Sequence, residues 1–223
     1  MLLRLALKLT MAWPVVVAAQ FAVAQTDTSA QLRAAAARGD ASAVVRLATT
    51  GAPLDAKDND GQTALLLAVA GGHKAAAEAL IEAGASINAQ ARNLDTPWLL
   101  AGARGHAEIL QLMLPKGPDY ALRNRFGGNA LIPACERAHV EAVKVLLTSK
   151  IAVDHVNNLG WTCLLEIVIL GEGGPRHIEA TKLLLAAGAN ANIADKEGVS
   201  PLTHARRRGH TEVARLIAAA GGK

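Results

Sequence analysis

Five histidines, His73, His106, His139, His177 and His210, recur at near-regular intervals in this 223-residue chain. Imidazole is the side chain best suited to proton transfer or metal binding near neutrality. A catalytic site would need it to converge with a carboxylate, a nucleophile or further ligands. The spacing argues against that, because one histidine per interval with no carboxylate at a matching position describes a ladder of equivalent turn residues. The other groups from which chemistry could be assembled are Cys135, Cys163, His155 and Glu166. Zinc requires three or four ligands in near-tetrahedral convergence, whereas the two cysteines stand at different offsets within their intervals and His155 lies in a separate turn. There is no phosphate-cradling glycine loop and no nucleophile elbow. The sequence therefore predicts no catalytic residue, no cofactor and no metal. A metal-dependent enzyme with its site around His155 and Glu166 is left as a remote alternative.

The elements that carry these residues repeat. Gly61-Gln62-Thr63-Ala64-Leu65 returns as Leu94-Asp95-Thr96-Pro97-Trp98, as Gly127-Gly128-Asn129-Ala130-Leu131 and as Gly160-Trp161-Thr162-Cys163-Leu164. Thr63, Thr96, Asn129 and Thr162 keep one constant interval, and a longer one leads to Ser200 within Gly198-Val199-Ser200-Pro201-Leu202. The added length falls before His177, so Gly171-Glu172-Gly173-Gly174-Pro175 is read as a lengthened segment between helices. Gly84, Gly117 and Gly188 form a third marker in the same register, with Lys150 where a glycine is expected. Reading backwards finds a degenerate first unit containing Gly39-Asp40 and Gly51. Fixed-period similarity of this length is the signature of a solenoid.

The pattern resembles the ankyrin-repeat family, whose units open on a Gly-x-Thr-Pro-Leu motif. The resemblance covers about residues 27 to 221. It implies an all-α ankyrin-repeat solenoid of paired antiparallel helices with projecting turns, in about six units counting degenerate terminal repeats. Thr63 and Thr96 are suited to cap the first helix of a unit, Pro97 and Pro201 to its first turn, and Gly84, Gly117 and Gly188 to a left-handed helix stop. Departures are visible too. The histidine usual after Pro-Leu is replaced by Leu66, Leu99, Ile132, Leu165 and Thr203. Pro133 is expected to cost its helix a backbone bond, and Glu166 occupies a normally apolar position.

Half of the residues, 51%, are hydrophobic, and the chain holds three Trp, one Tyr and two Phe. It should fold on close packing of Ala, Leu, Val and Ile. Residues 1–24 differ from the rest. Arg4 and Lys8 precede an apolar run from Leu9 to Ala19 and the small-residue sequence Ala22-Val23-Ala24, which reads as a secretory signal peptide cleaved after Ala24. Its removal leaves 25–223 as a single repeat domain and lowers the net charge of +4 to +2, too little to hold a nucleic-acid backbone. Arg206-Arg207-Arg208 is read as a solvated helix face. No stable membrane insertion is expected after cleavage, and the location is periplasmic, in a Gram-negative envelope, or secreted. The cysteines are expected to be free and partly buried.

What remains is binding. Turn tips just upstream of each motif, including Arg92, Arg125, Phe126 and Asn158, are contact candidates. By resemblance to the family, Gln62, Asp95, Gly128, Trp161 and Val199 face the concave binding side. Trp161 could anchor a partner or pack on a neighbouring turn. Trp98 takes a core leucine position, while Tyr120 and Phe126 are placed on the surface. The sequence thus predicts a monomeric, non-enzymatic protein-binding or scaffolding module of the envelope, with Arg92, Asp95, Tyr120, Arg125, Phe126, Asn158 and Trp161 as its contact residues. The alternative is an accessory protein that protects or stabilises an envelope enzyme.

Overall fold

The computed structural model describes residues 28–223; the expected signal segment and its cleavage point lie outside the described residues. Six helix pairs follow one another: α1 (28–38) with α2 (Ala41–Thr49), α3 (Ala64–Ala70) with α4 (Lys74–Glu82), α5 (Pro97–Arg104) with α6 (Ala107–Met113), α7 (Leu131–Glu136) with α8 (Val140–Leu147), α9 (Cys163–Ile169) with α10 (Pro175–Ala186), and α11 (Pro201–Arg207) with α12 (Thr211–Ala219). First helices stack on first helices and second helices on second helices along the array. The result is an all-α solenoid of paired antiparallel helices joined by projecting turns. We refer to the pairs as units one to six.

Each first helix starts where its cap residue dictates. The side-chain oxygens of Thr63, Thr96, Thr162 and Ser200 accept from the backbone N–H of Leu66, Leu99, Leu165 and Thr203 at 3.1–3.3 Å, satisfying a donor the helix cannot pair internally. Asn129 does the same for Leu131 and Ile132. Pro133 stands four residues after Asn129, where Leu67, Leu100, Glu166 and His204 of the other units donate to the carbonyl of their cap residue at 2.9–3.1 Å. Having no N–H, the proline costs α7 that bond, as expected, and α7 is only six residues long.

Small side chains allow the close stacking. Ala64, Ala68, Ala76 and Ala77 are fully buried beside Leu65, Val69 and Leu80, and the same mixture runs through one continuous core to Ile217. Gly102 shows how tight this is, since a Cβ there would lie 2.5 Å from the Ala130 carbonyl oxygen. Trp98 is buried as expected, but Tyr120 is not a free surface ring. It is half-buried and meets Trp98 edge-on, with ring centres 6.1 Å apart at 83°.

One further expectation is corrected and another is extended. Cys135 on α7 and Cys163 on α9 form a disulfide, with Cα atoms 5.5 Å apart, and both are fully buried rather than free and partly exposed. Their offsets in the repeat differ, but adjacent first helices are close enough for the two side chains to meet. The insertion before His177 also does more than lengthen a loop. It extends the second helix backwards, so α10 has 12 residues and begins at Pro175. His177 consequently lies inside α10, while His73, His106, His139 and His210 are N-cap residues. At Lys150 no left-handed stop is used. Instead the hydroxyls of Thr148 and Ser149 donate to the carbonyls of Val145 and Leu146 at the end of α8.

Candidate protein-binding ridge

Five turns, each preceding one of units two to six, project from the helix stack. Each is closed by a bond from its first N–H to its last carbonyl: Asp58 to Gln62, Ala91 to Asp95, Asn124 to Gly128, Asn157 to Trp161 and Asp195 to Val199, all at 2.9–3.1 Å. Four of these first residues are Asp or Asn, and their side chains explain the geometry. Oδ1 of Asp58, Asn124, Asn157 and Asp195 accepts two N–H groups of its own turn, a local mimic of a backbone turn. Ala91 cannot do this, and Asn93 substitutes by accepting from Asp95 N–H at 3.0 Å. The Asp and Asn positions recur in the register of the repeat, a signal independent of the Gly-x-Thr motif.

The expected contact residues are distributed along this row of turns. Arg92 is exposed, and its N–H donates to the Asp60 carbonyl at 3.0 Å. Asp95 is half-buried and accepts from the Asn93 side chain at 2.9 Å, with Arg125 Nη1 3.9 Å away. Burial raises its pKa against the opposing pull of Arg125, Asn93 and Arg104. Phe126 is 53% exposed, and the Arg125 guanidinium lies over its ring, 4.7 Å from the centre. Such a pair holds a cation beside apolar surface. Asn158 N–H donates to the Phe126 carbonyl at 2.9 Å, and Lys196 Nζ donates to the Asn158 carbonyl at 2.6 Å. Trp161 is half-buried against the core. The structure thus places Arg92, Arg125, Phe126 and Asn158 at the tips, Asp95 and Trp161 at the turn ends, and Tyr120 behind them on Trp98. Leu94 and Val156, together with Leu159 beside Asn158, add exposed apolar side chains to the same row.

The histidines belong to a different part of the molecule. Nε2 of His73 lies 3.1 Å from the Ala37 carbonyl, and Nε2 of His177 lies 3.4 Å from that of Glu136. Each N-cap ring packs on the left-handed glycine of the preceding unit. A Cβ at Gly39, Gly72, Gly105 or Gly173 would stand 2.6–2.9 Å from His73, His106, His139 or His210 respectively. Burial, aided by Arg104, Arg137 and Arg208, lowers the pKa of His106, His139 and His210. The N-cap rings are packing elements between units, and in His106, His139 and His210 the shift favours the neutral form. His155 turns its Nε2 to the Gly127 carbonyl at 2.6 Å.

Among the described residues Glu166 is chemically unusual. It is 4% exposed on α9, and Oε1 accepts from Asn157 Nδ2 at 2.8 Å. Asn157 must present its amide N–H there because its oxygen is occupied by the turn. Oε2 has no hydrogen-bond partner. Burial, with Glu136 nearby, raises the carboxyl to about 7 against the Asn157 bond. One unit later Asp195 and His204 repeat the strut at 2.6 Å. Among the described residues no group of three or more His, Cys, Asp or Glu could hold a metal ion. Nor is any described helix long and apolar enough to cross a membrane.

A stack of capped helix pairs with a glycine-seated histidine at the turn into most second helices defines a repeat solenoid. The chain belongs to the ankyrin-repeat family: a family model described as "Ankyrin repeats (3 copies)" matches residues 20–91 and 98–173. Among solved structures, an ankyrin repeat domain from Acinetobacter baumannii AYE is 47% identical, with a TM-score of 0.82. That match covers 86% of this chain and 98% of that one. The ankyrin repeat protein EF0377 is 39% identical, also at TM-score 0.82, over 85% of this chain and 97% of the other. The curated relative "Putative ankyrin repeat protein YahD" of Escherichia coli strain K12 is 45% identical over 80 residues. The match spans 35% of this chain and 40% of the relative's length.

Proposed function

We propose that this protein is a non-enzymatic binding or scaffolding module of the bacterial envelope, working as a monomer and holding a protein partner along its row of turns. One observation carries the reading: among the described residues six large apolar side chains are exposed, and three of them, Leu94, Phe126 and Leu159, stand at successive turn tips, the others being Val45, Val156 and Leu170. Exposed apolar groups gathered in one row mark contact surfaces. Residues from Arg92 to Trp161 provide donors, acceptors and aromatic area beside them. The buried Cys135–Cys163 disulfide supports an exported location, because such bonds form and persist in oxidising compartments.

The test is capture of partners from a periplasmic extract by wild type, Trp161→Ala and Arg125→Glu, with folding checked by circular dichroism. Selective loss of one partner from both variants is expected. Identical capture by all three would refute the proposed contact region and would favour an accessory protein making broad contacts with an envelope enzyme.

A further inference from the structure

Each turn tip requires one residue with a left-handed backbone, and four of the five supply glycine: Gly61 at φ 76°, Gly127 at 72°, Gly160 at 89° and Gly198 at 75°. The turn before unit three places Leu94 there, at φ 66°. That conformation crowds a Cβ against the backbone, and at 44% exposure the side chain gains only part of what burial could return. Backbone strain kept without a packing reason points to function. One position earlier in the next two turns stand Phe126 and Leu159, 53% and 51% exposed. The flanking turns carry Asp60 and Glu197 at that position. The apolar stretch therefore spans the three central tips and stops at acidic ones.

The charges along this stretch are of one dominant sign. Arg92 is exposed and forms no ion pair among the described residues. Arg125 reaches Asp95 only at 3.9 Å and lies over the Phe126 ring. Asp95 is half-buried and held by Asn93, so its charge is turned inward. The row of turns is also open here. Arg92 N–H bonds to the Asp60 carbonyl and Asn158 N–H to the Phe126 carbonyl, but no such bond links Arg125 N–H with the Asn93 carbonyl, nor Lys196 N–H with that of Leu159.

We propose that this stretch receives an extended segment of a partner protein in which bulky apolar side chains alternate with carboxylates. The inference rests on the protein-binding reading above and names the chemistry of its partner. Apolar side chains of the segment cover Leu94, Phe126 and Leu159. Its carboxylates meet Arg92 and Arg125 at the edge of that surface, where partial desolvation strengthens the attraction. The open step beside Arg125 leaves a backbone donor facing the same approach.

The test uses the full chain and three labelled twelve-residue peptides, read by fluorescence anisotropy. The first alternates Leu and Phe with Asp and Glu, the second has Lys and Arg at the charged positions, and the third has Ser at the apolar ones. The first should bind, and the other two should bind at least about tenfold more weakly. Arg125→Glu and Phe126→Ala should each weaken the first peptide by about tenfold or more. Leu94→Gly should raise the melting temperature while weakening binding, a pairing that a purely structural leucine would not give. Equal binding of the second peptide, still sensitive to the ridge variants, would overturn the acidic chemistry and leave the contact region standing. Peptide binding unchanged in every variant would overturn both. Failure of all three peptides, or their displacement by phosphatidylserine vesicles that bind the same arginines, would also overturn the proposal, while partner capture through Trp161 and Arg125 would still sustain the broader function.

Discussion

Replacing Glu166 by Gln should make the protein more stable above neutral pH and should remove part of its pH dependence. The carboxyl is raised from an ordinary 4.5 to about 7. Burial is the main cause, and Glu136 on α7 adds a like charge. Among the described residues no cation offsets this: on α11, His204 is held by Asp195, and on α10, His177 faces the Glu136 backbone carbonyl. With the folded pKa above the unfolded one, the folded state binds the extra proton between those two values. Stability from this group is complete below about pH 4.5 and is lost as pH rises through about 7. The full span corresponds to roughly 3 kcal/mol, and residual solvent screening of the carboxyl reduces the expected effect to about 1–3 kcal/mol. His106, His139 and His210 act in the opposite direction, since their lowered pKa values give stability that is lost as pH falls below the ordinary imidazole value. The comparison of wild type with Glu166→Gln cancels that contribution. Urea unfolding at pH 5 and pH 8 should show near-equal stability at the lower pH and an advantage of about 1–3 kcal/mol for the variant at the higher. An advantage of the same size at both values would refute the claim that this carboxyl holds its proton in the fold.

Two other perturbations have definite signs. Ala138 sits at φ 49° where Gly72, Gly105 and Gly209 occupy the equivalent positions, so Ala138→Gly should stabilise by about 1 kcal/mol while Gly105→Ala destabilises by more than that. The latter also drives a Cβ to 2.6 Å from the His139 ring, and melting curves of the two variants should move in opposite directions. Reducing Cys135–Cys163, which closes a separation of 28 residues, should cost about 3–4 kcal/mol on the chain-entropy argument, measurable as urea midpoints with and without dithiothreitol. A protein whose midpoint is unaffected by reductant, with two thiols titrated after unfolding under non-reducing conditions, would show that the bond is not formed.

The stacking direction, the helix starts and the site of the insertion are legible in the sequence because each depends on a local rule repeated in register. Thr63, Thr96, Thr162 and Ser200 fix where helices begin, and glycine with histidine marks most of the turns into second helices. What is not legible depends on neighbours from other units. Whether Tyr120 is exposed turns on Trp98, and whether the cysteines meet turns on the approach of α9 to α7. The candidate ridge is divided in the same way. Arg92, Arg125, Phe126, Asn158, Leu159 and Trp161 follow from their places in the turns, whereas Leu94, standing where the other turns have glycine, is shown at a tip only by the backbone. Glu166 reads as a packing irregularity, and only the geometry of Asn157 shows it as a fixed polar strut.

The position of the disulfide follows from where the repeat is weakest. Unit four has a six-residue first helix, a left-handed alanine at Ala138 and no glycine stop at Lys150. In a solenoid each unit is held mainly by its two neighbours, so a weak unit inside the array interrupts everything that crosses it. The turns bearing Phe126 and Leu159 flank that unit, and their alignment depends on α7 and α9 keeping register. Cys135–Cys163 joins those two helices, fixing the junction on which the proposed contact row depends. Replacing both cysteines with Ser should therefore raise amide exchange first in residues 129–150 and weaken peptide binding at Phe126, while α3 and α4 remain protected. Uniform loss of protection across all units would show instead that the array unfolds as one block and that the bond supports no particular junction.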